Sequence, residues 1–154
     1  MEIVDTASGH AYRVVVSPVS TKEIKRLTKA KYSFNWQVMA KAYLLFKLTI
    51  EDQDEILGVM ALANHPEDNR FEIKLLASSK DNIGRTKKFD GIVEGLIAYA
   101  CGESLKNYGA LACVSLIPKT TLKKHYIEKY RMIDGGRQLF LEGKPLFELA
   151  KRNL

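Results

Sequence analysis

The sequence predicts an α/β fold of the α+β type, with a central, mostly antiparallel mixed sheet and one parallel β-α-β crossover. Three observations carry this. Three apolar, β-rich runs follow one another, Tyr43 to Ile50, Ile56 to Asn64 and Phe71 to Ser78, separated by short turn-forming stretches. A long helix pattern opens near Phe89-Asp90-Gly91 and ends near Gly109, with Ile92, Val93, Leu96, Ile97, Ala100 and Cys101 on one stripe. Another apolar run, Leu111 to Ile117, follows at once. Strand, helix, strand is long enough for a parallel crossover, which chain chirality makes right-handed.

The remaining elements follow in order. Tyr12 to Val16 is β-branched and reads as a first strand, ended by Ser17-Pro18 because proline cannot donate to a ladder. Ser20-Thr21-Lys22-Glu23 matches a capping box and predicts a helix over Thr21 to Ala30. Trp36 to Lys41 suits a short helix with Trp36 as a core anchor. Asp52-Gln53-Asp54 and Asn64 through Asn69 read as turns, which leaves His65 at the surface. Thr120 or Thr121 would cap a helix carrying Leu122, Tyr126 and Tyr130, with His125 exposed on it. Asp134-Gly135-Gly136 is a turn, Arg137 to Leu141 a last strand, and Leu146 to Asn153 a short terminal helix.

A chain of 154 residues is expected to form one domain over residues 1–154. No apolar run approaches the roughly 18–20 residues of a membrane span, so no membrane partner is expected. The first residues lack the basic and apolar regions of a signal peptide. Cys101 and Cys113 sit in apolar patterns and read as buried thiols, so a cytoplasmic protein is the expectation. The three histidines form no cluster with cysteine, and no metal is expected. The sequence leaves monomer and homodimer both open.

The formal charge of +6 fits an anionic partner, a phosphorylated cofactor or nucleic acid. Its placement is more informative. Lys80, Arg85, Lys87 and Lys88 precede the long helix, and Lys119, Lys123 and Lys124 begin another. A helix N-terminus beside clustered cations is suited to a phosphate, because its first N–H groups and its dipole favour negative charge.

Over Ile56 to Leu141 the chain resembles the GNAT superfamily of acetyl-CoA-dependent N-acetyltransferases. That family's loop motif is Gln/Arg-x-x-Gly-x-Gly/Ala before a helix with paired aliphatics. It falls on Lys88-Phe89-Asp90-Gly91-Ile92-Val93, followed by Glu94-Gly95-Leu96-Ile97. The family's later Tyr-x-Lys-x-Gly-Phe falls on Ile127-Glu128-Lys129-Tyr130-Arg131-Met132. There are departures. Lys88 replaces Gln or Arg, Val93 replaces Gly or Ala, and the loop before the motif is longer than usual. Ile127 stands where the general-acid Tyr is expected, with Tyr126 adjacent, and the tail after Leu141 is too short or too helical for the family's final hairpin.

The resemblance implies a single GNAT-like acyltransferase domain with acetyl-CoA as cosubstrate and no metal. The pantetheine arm would lie along Leu76, Ala77 and Ser78, where two parallel strands splay, pairing with main-chain groups as in strand addition. The pyrophosphate would meet the N–H groups of Phe89, Asp90, Gly91, Ile92, Val93 and Glu94, with Arg85, Lys87 and Lys88 supplying charge. Asp90 would cap the helix but repel the phosphates. Glu72 is the candidate base and Tyr126 the candidate acid or sulfur contact. The reaction implied is direct attack of a primary amine on acetyl-CoA in a ternary complex, with a small amine, a protein or an aminoacyl-RNA as acceptor. Two other classes compete: a non-catalytic acyl-CoA-binding module, which Ile127 and Val93 favour, and a basic nucleic-acid-binding domain. Against the last, aromatics are not interleaved with the basic runs.

Overall fold

The computed structural model of the chain describes residues 1–153. In chain order the elements are β1 (Glu2–Asp5), β2 (Ala11–Pro18), α1 (Thr21–Ile24), α2 (Lys29–Tyr32), α3 (Trp36–Ala42), β3 (Leu44–Ile50), β4 (Gly58–His65) and β5 (Arg70–Ser78). Next come β6 (Phe89–Asp90), α4 (Ile92–Tyr108), β7 (Cys113–Leu116), α5 (Lys123–Tyr130), β8 (Ile133–Asp134), β9 (Leu139–Glu142) and α6 (Gly143–Lys151). The strands make a mixed nine-stranded sheet in the order β6-β1-β2-β3-β4-β5-β7-β9-β8. β5 and β7 are parallel, with α4 in the connection between them. The pairings of β1 with β2 and β6, β2 with β3, and β9 with β7 and β8 are antiparallel. This is the expected α/β class with its one parallel crossover.

Local differences have local causes. β1 and β6 were not expected; they form because Val4 and Asp5 pair with Asp90 and Phe89. Phe89-Asp90 is therefore strand, and α4 begins at Ile92. The helix expected over Thr21 to Ala30 is two helices. Ser20 and Glu23 form the capping box, but Thr28 then accepts from the Lys31 N–H and starts α2 afresh. The terminal helix starts at Gly143, earlier than expected.

Two compact units carry these elements. The first is Met1–Ala61 with Leu75–Leu96. Its core gathers Leu27, Tyr32, Trp36, Leu45, Ile56, Val59, Ala61 and Ala77. Trp36 is fully buried and donates its indole N–H to Tyr32 O (3.0 Å), while the Tyr32 hydroxyl donates to Ile56 O (2.8 Å). Gly58 lies under α4: a Cβ there would be 2.6 Å from Ile92 Cγ2 and 3.1 Å from Leu96 Cδ1. The bare backbone of β4 thus lets the first turn of α4 settle close to it.

The second unit is Leu62–Lys74 with the chain from Ile97 onward. Ile97, Ala98, Ala100 and Cys101 of α4 are buried, and the Ser104 hydroxyl exchanges hydrogen bonds with the Cys113 main chain (2.9 and 3.0 Å). α6 packs on β7 and β9 with Leu146, Leu149 and Ala150 buried. α5 ends on Arg131 in the left-handed region (φ 57°), where the resembled motif has glycine.

Near the start of β5 Asn64 and Phe71 share a face: the Tyr108 hydroxyl bonds Asn64 Oδ1, and the Phe71 and Tyr108 rings lie 6.0 Å apart. At its end the Ser79 N–H donates to Leu57 O (2.8 Å).

Candidate functional site

The loop between β5 and α4 is fixed from both sides. Asn82 is buried and spans it: Nδ2 donates to Ser79 Oγ (2.7 Å) and Oδ1 accepts from the Phe89 N–H (3.0 Å). From β1's side, the Thr6 N–H donates to Lys88 O (2.9 Å) and its hydroxyl donates to Lys87 O (2.7 Å). The Lys88 N–H donates to Asp81 O (3.1 Å). The exposed tip, Ile83 to Thr86, therefore stands on a closed base.

Gly91 turns the chain from β6 into α4 with φ 102°, a value that favours glycine. The first intrahelical bond runs from the Gly95 N–H to Gly91 O (2.9 Å). Gly91, not Asp90, is thus the capping position. The N–H groups of Ile92 and Val93 have no acceptor within the helix. The expected contribution of the Phe89 N–H is corrected: Asn82 already occupies it. Asp90 pairs with Lys87 (2.5 Å), so the carboxylate expected to repel phosphate carries its own counter-ion. Lys88 Nζ sits 5.4 Å from the Phe89 ring centroid, and Arg85 is exposed on the loop. Glu94 is half-buried in the first turn.

Upstream, the ladder between β5 and β7 covers Arg70–Ile73 against Cys113–Leu116 and stops where β7 ends. β5 continues through Lys74–Ser78. Because the Ser79 N–H is spent on β4, alternation turns the main-chain groups of Ser78 toward the other edge. Leu76 is half-buried, and Ala77 and Ser78 are buried.

Glu72 is not the solvent-facing residue its strand position alone would suggest; it is 7% exposed. Its Oε1 lies 3.0 Å from His65 Nε2 and 3.8 Å from Arg70 Nη1, and its Oε2 lies 3.4 Å from Lys74 Nζ. Arg70 also donates to Ser115 Oγ (2.7 Å) and pairs with Asp68 (3.2 Å). Sequence reasoning placed His65 in a surface turn and missed this cluster. The available signal was the alternation Arg70, Glu72, Lys74, which puts all three on one strand face.

Tyr126 is half-buried on α5, and burial raises its phenol above the ordinary value. Its ring lies 5.9 Å from Tyr130 and 5.9 Å from His125. Ile127, beside it, is half-buried. Among the described residues no group of three or more His, Cys, Asp or Glu could hold a metal ion, and no helix is long and apolar enough to cross a membrane.

No protein-family model matches the chain, and no curated protein sequence does. Solved structures do. The ribosomal-protein-S18-alanine N-acetyltransferase of Escherichia coli matches at TM-score 0.59 and 14% identity, covering 84% of this chain and 93% of that one. A spermidine/spermine N-acetyltransferase of Vibrio cholerae matches at 0.61 and 11%, covering 92% and 98%. A GNAT family acetyltransferase from Elizabethkingia anophelis with acetyl-CoA bound matches at 0.59 and 12%, covering 84% and 98%. The chain has the GNAT fold. It is a divergent example, as the low identities show. β5 and the β5-to-α4 loop are the strand and loop on which the sequence resemblance was read. The residues it singled out for the cosubstrate, Leu76 to Ser78 and Arg85 to Glu94, all lie in the first unit, while Glu72 and Tyr126 lie in the second.

Proposed function

We propose that this chain is an acyltransferase domain that moves acetyl from acetyl-CoA to a primary amine by direct attack in a ternary complex. The observation that carries the reading is the continuity from a strand that outruns its parallel partner, through a braced basic loop, to a helix that opens at Gly91. The residues present suit such a ligand. Main-chain groups at the end of β5 suit the amides of a pantetheine arm, and the Ile92 and Val93 N–H groups suit a pyrophosphate. Lys88 and Arg85 add charge there; Lys87 contributes less, because it is paired with Asp90.

The chemistry asks the chain to take a proton from the amine and return one to a thiolate. A thiol of pKa about 8.5 leaves tolerably as its anion, so a strong acid is not required. Glu72 is proposed to take the amine proton, directly or through water. Tyr126, whose phenol keeps its proton because burial raises it, is proposed to meet the sulfur. Neighbours named for a ribosomal-protein alanine and for spermidine act on chemically different amines, so the acceptor class stays open among small amines, proteins and aminoacyl-RNA. A second reading, an acyl-CoA-binding module without turnover, is favoured by Ile127 at the motif's Tyr position and by the packing of Tyr126 on Tyr130.

Calorimetric titration with acetyl-CoA, with dephospho-CoA and ATP as controls, tests the common part. Micromolar binding is expected, weakened on the order of tenfold or more by Arg85→Glu with Lys88→Glu. Unchanged affinity in that variant would remove the phosphate assignment. Thiol release with a panel of amines then separates enzyme from module. Cys113, pushed up to about 11 by burial, and the buried Cys101 will not interfere with a thiol reagent in the folded protein.

A further inference from the structure

The geometry points to His65 as the positioning residue for Glu72: its Nε2–H fixes Oε1 and leaves Oε2 as the oxygen that accepts the amine proton. The inference rests on the acetyl-transfer reading and on Glu72 as its base. Glu72 is buried, and a buried carboxylate needs donors to hold it. Its two oxygens are not equivalent. Oε1 faces both His65 (3.0 Å) and Arg70 (3.8 Å), whereas Oε2 has one contact among the ion pairs, the Lys74 ammonium at 3.4 Å.

The tautomer follows from the chemistry. An ionised carboxylate only accepts, so the hydrogen of this contact sits on His65 Nε2. Nδ1 then faces Glu67 across 3.8 Å at the more open side of the ring. Arg70 cannot replace His65 as the fixing group, because it is turned to Ser115 Oγ (2.7 Å) and Asp68 (3.2 Å). Lys74 sits on a flexible stem and offers a point charge rather than a direction. Among the described residues that face Glu72, the planar imidazole at the end of β4 makes the shortest contact and so sets the plane of the carboxylate. Partners that orient metal ligands are worth about 10–100-fold, and the same range is expected for one that orients a carboxylate base.

Two arms test this. In the full chain, ¹⁵N–¹H correlation of the His65 ring is expected to show hydrogen on Nε2, with Glu72→Ala, which removes the acceptor, redistributing it between Nε2 and Nδ1. An unchanged ring in Glu72→Ala overturns the pairing. For turnover, acetyl-CoA is supplied with n-hexylamine as probe amine and with water alone, and thiol release is followed. His65→Ala is expected to lower kcat about 10–100-fold with acetyl-CoA affinity unchanged. His65→Gln keeps an N–H at the Nε2 position and is expected to recover most of the loss. Equal slowing by both variants, or none by either, overturns positioning. A loss that tracks reduced urea stability identifies a merely structural contact and also overturns it. If wild type releases no thiol under either condition, the transfer reading fails, and the tautomer arm alone decides whether His65 holds Glu72.

Discussion

Removing the Asn82 side chain would leave the Phe89 N–H buried without its acceptor. A buried unsatisfied amide costs about 1–3 kcal/mol, so Asn82→Ala should lose stability in that range by urea unfolding. Hydrogen exchange at Phe89 should accelerate in the same variant, and a protected Phe89 amide would refute the brace. Glu23 makes a pH argument at the same scale. Burial raises its carboxyl, but hydrogen bonds from Lys47 and from the Ser20 main chain outweigh this and leave it below the ordinary glutamate range. A depressed carboxyl contributes stability above its unfolded pKa and loses it as pH falls through the folded one. The stability gap between wild type and Glu23→Gln should therefore be full at neutral pH and close below about pH 4. A gap that does not change down to pH 3 would show that the ion pair contributes nothing.

At the scale of elements, the contact of β4 with α4 depends on the missing Cβ at Gly58. Ile92 Cγ2 sits close to its own backbone and cannot swing clear of a methyl placed 2.6 Å away. Gly58→Ala should cost about 1–3 kcal/mol, the usual range for overpacking, and should also weaken acetyl-CoA binding by displacing the helix start. Full stability and affinity would mean that the helix has room to move. The long elements were legible because their patterns are long: the apolar stripe of α4 and the three runs that became β3, β4 and β5 each repeat a face several times. β1 and β6 were not legible. Glu2–Asp5 and Phe89–Asp90 are too short to show a period, and their pairing joins residues far apart in sequence. The break between α1 and α2 lay in Thr28, whose capping role competes with its place inside a helix pattern.

For the molecule as a whole, the order of elements specified the fold better than any single motif. A capping box, an antiparallel run of strands and one crossover gave the architecture, while identities of 11–14% to these three neighbours show how little of it needs a shared sequence. The candidate site was only partly legible. Local spacing placed Gly91 at the helix start, but Asn82, Thr6 and His65 act through partners that only the folded chain brings near. Arg131 shows the same thing from the other direction: its backbone takes the left-handed turn without a glycine.

The tie between β1 and β6 also sets an order of events in time. Thr6 meets Lys87 and Lys88 across more than eighty residues, whereas the burial of Trp36 by Tyr32 and Ile56 closes within a few tens. Long closures cost more chain entropy and tend to come late. The single tryptophan therefore reports an early stage of refolding, and the braced loop a later one. In stopped-flow refolding from urea, Trp36 fluorescence should recover before the proposed binding of acetyl-CoA returns. Thr6→Val, which removes a hydroxyl bond from the tie, should lengthen the interval and leave the fluorescence phase alone. Simultaneous recovery in both proteins would mean that the loop and the core form in one step.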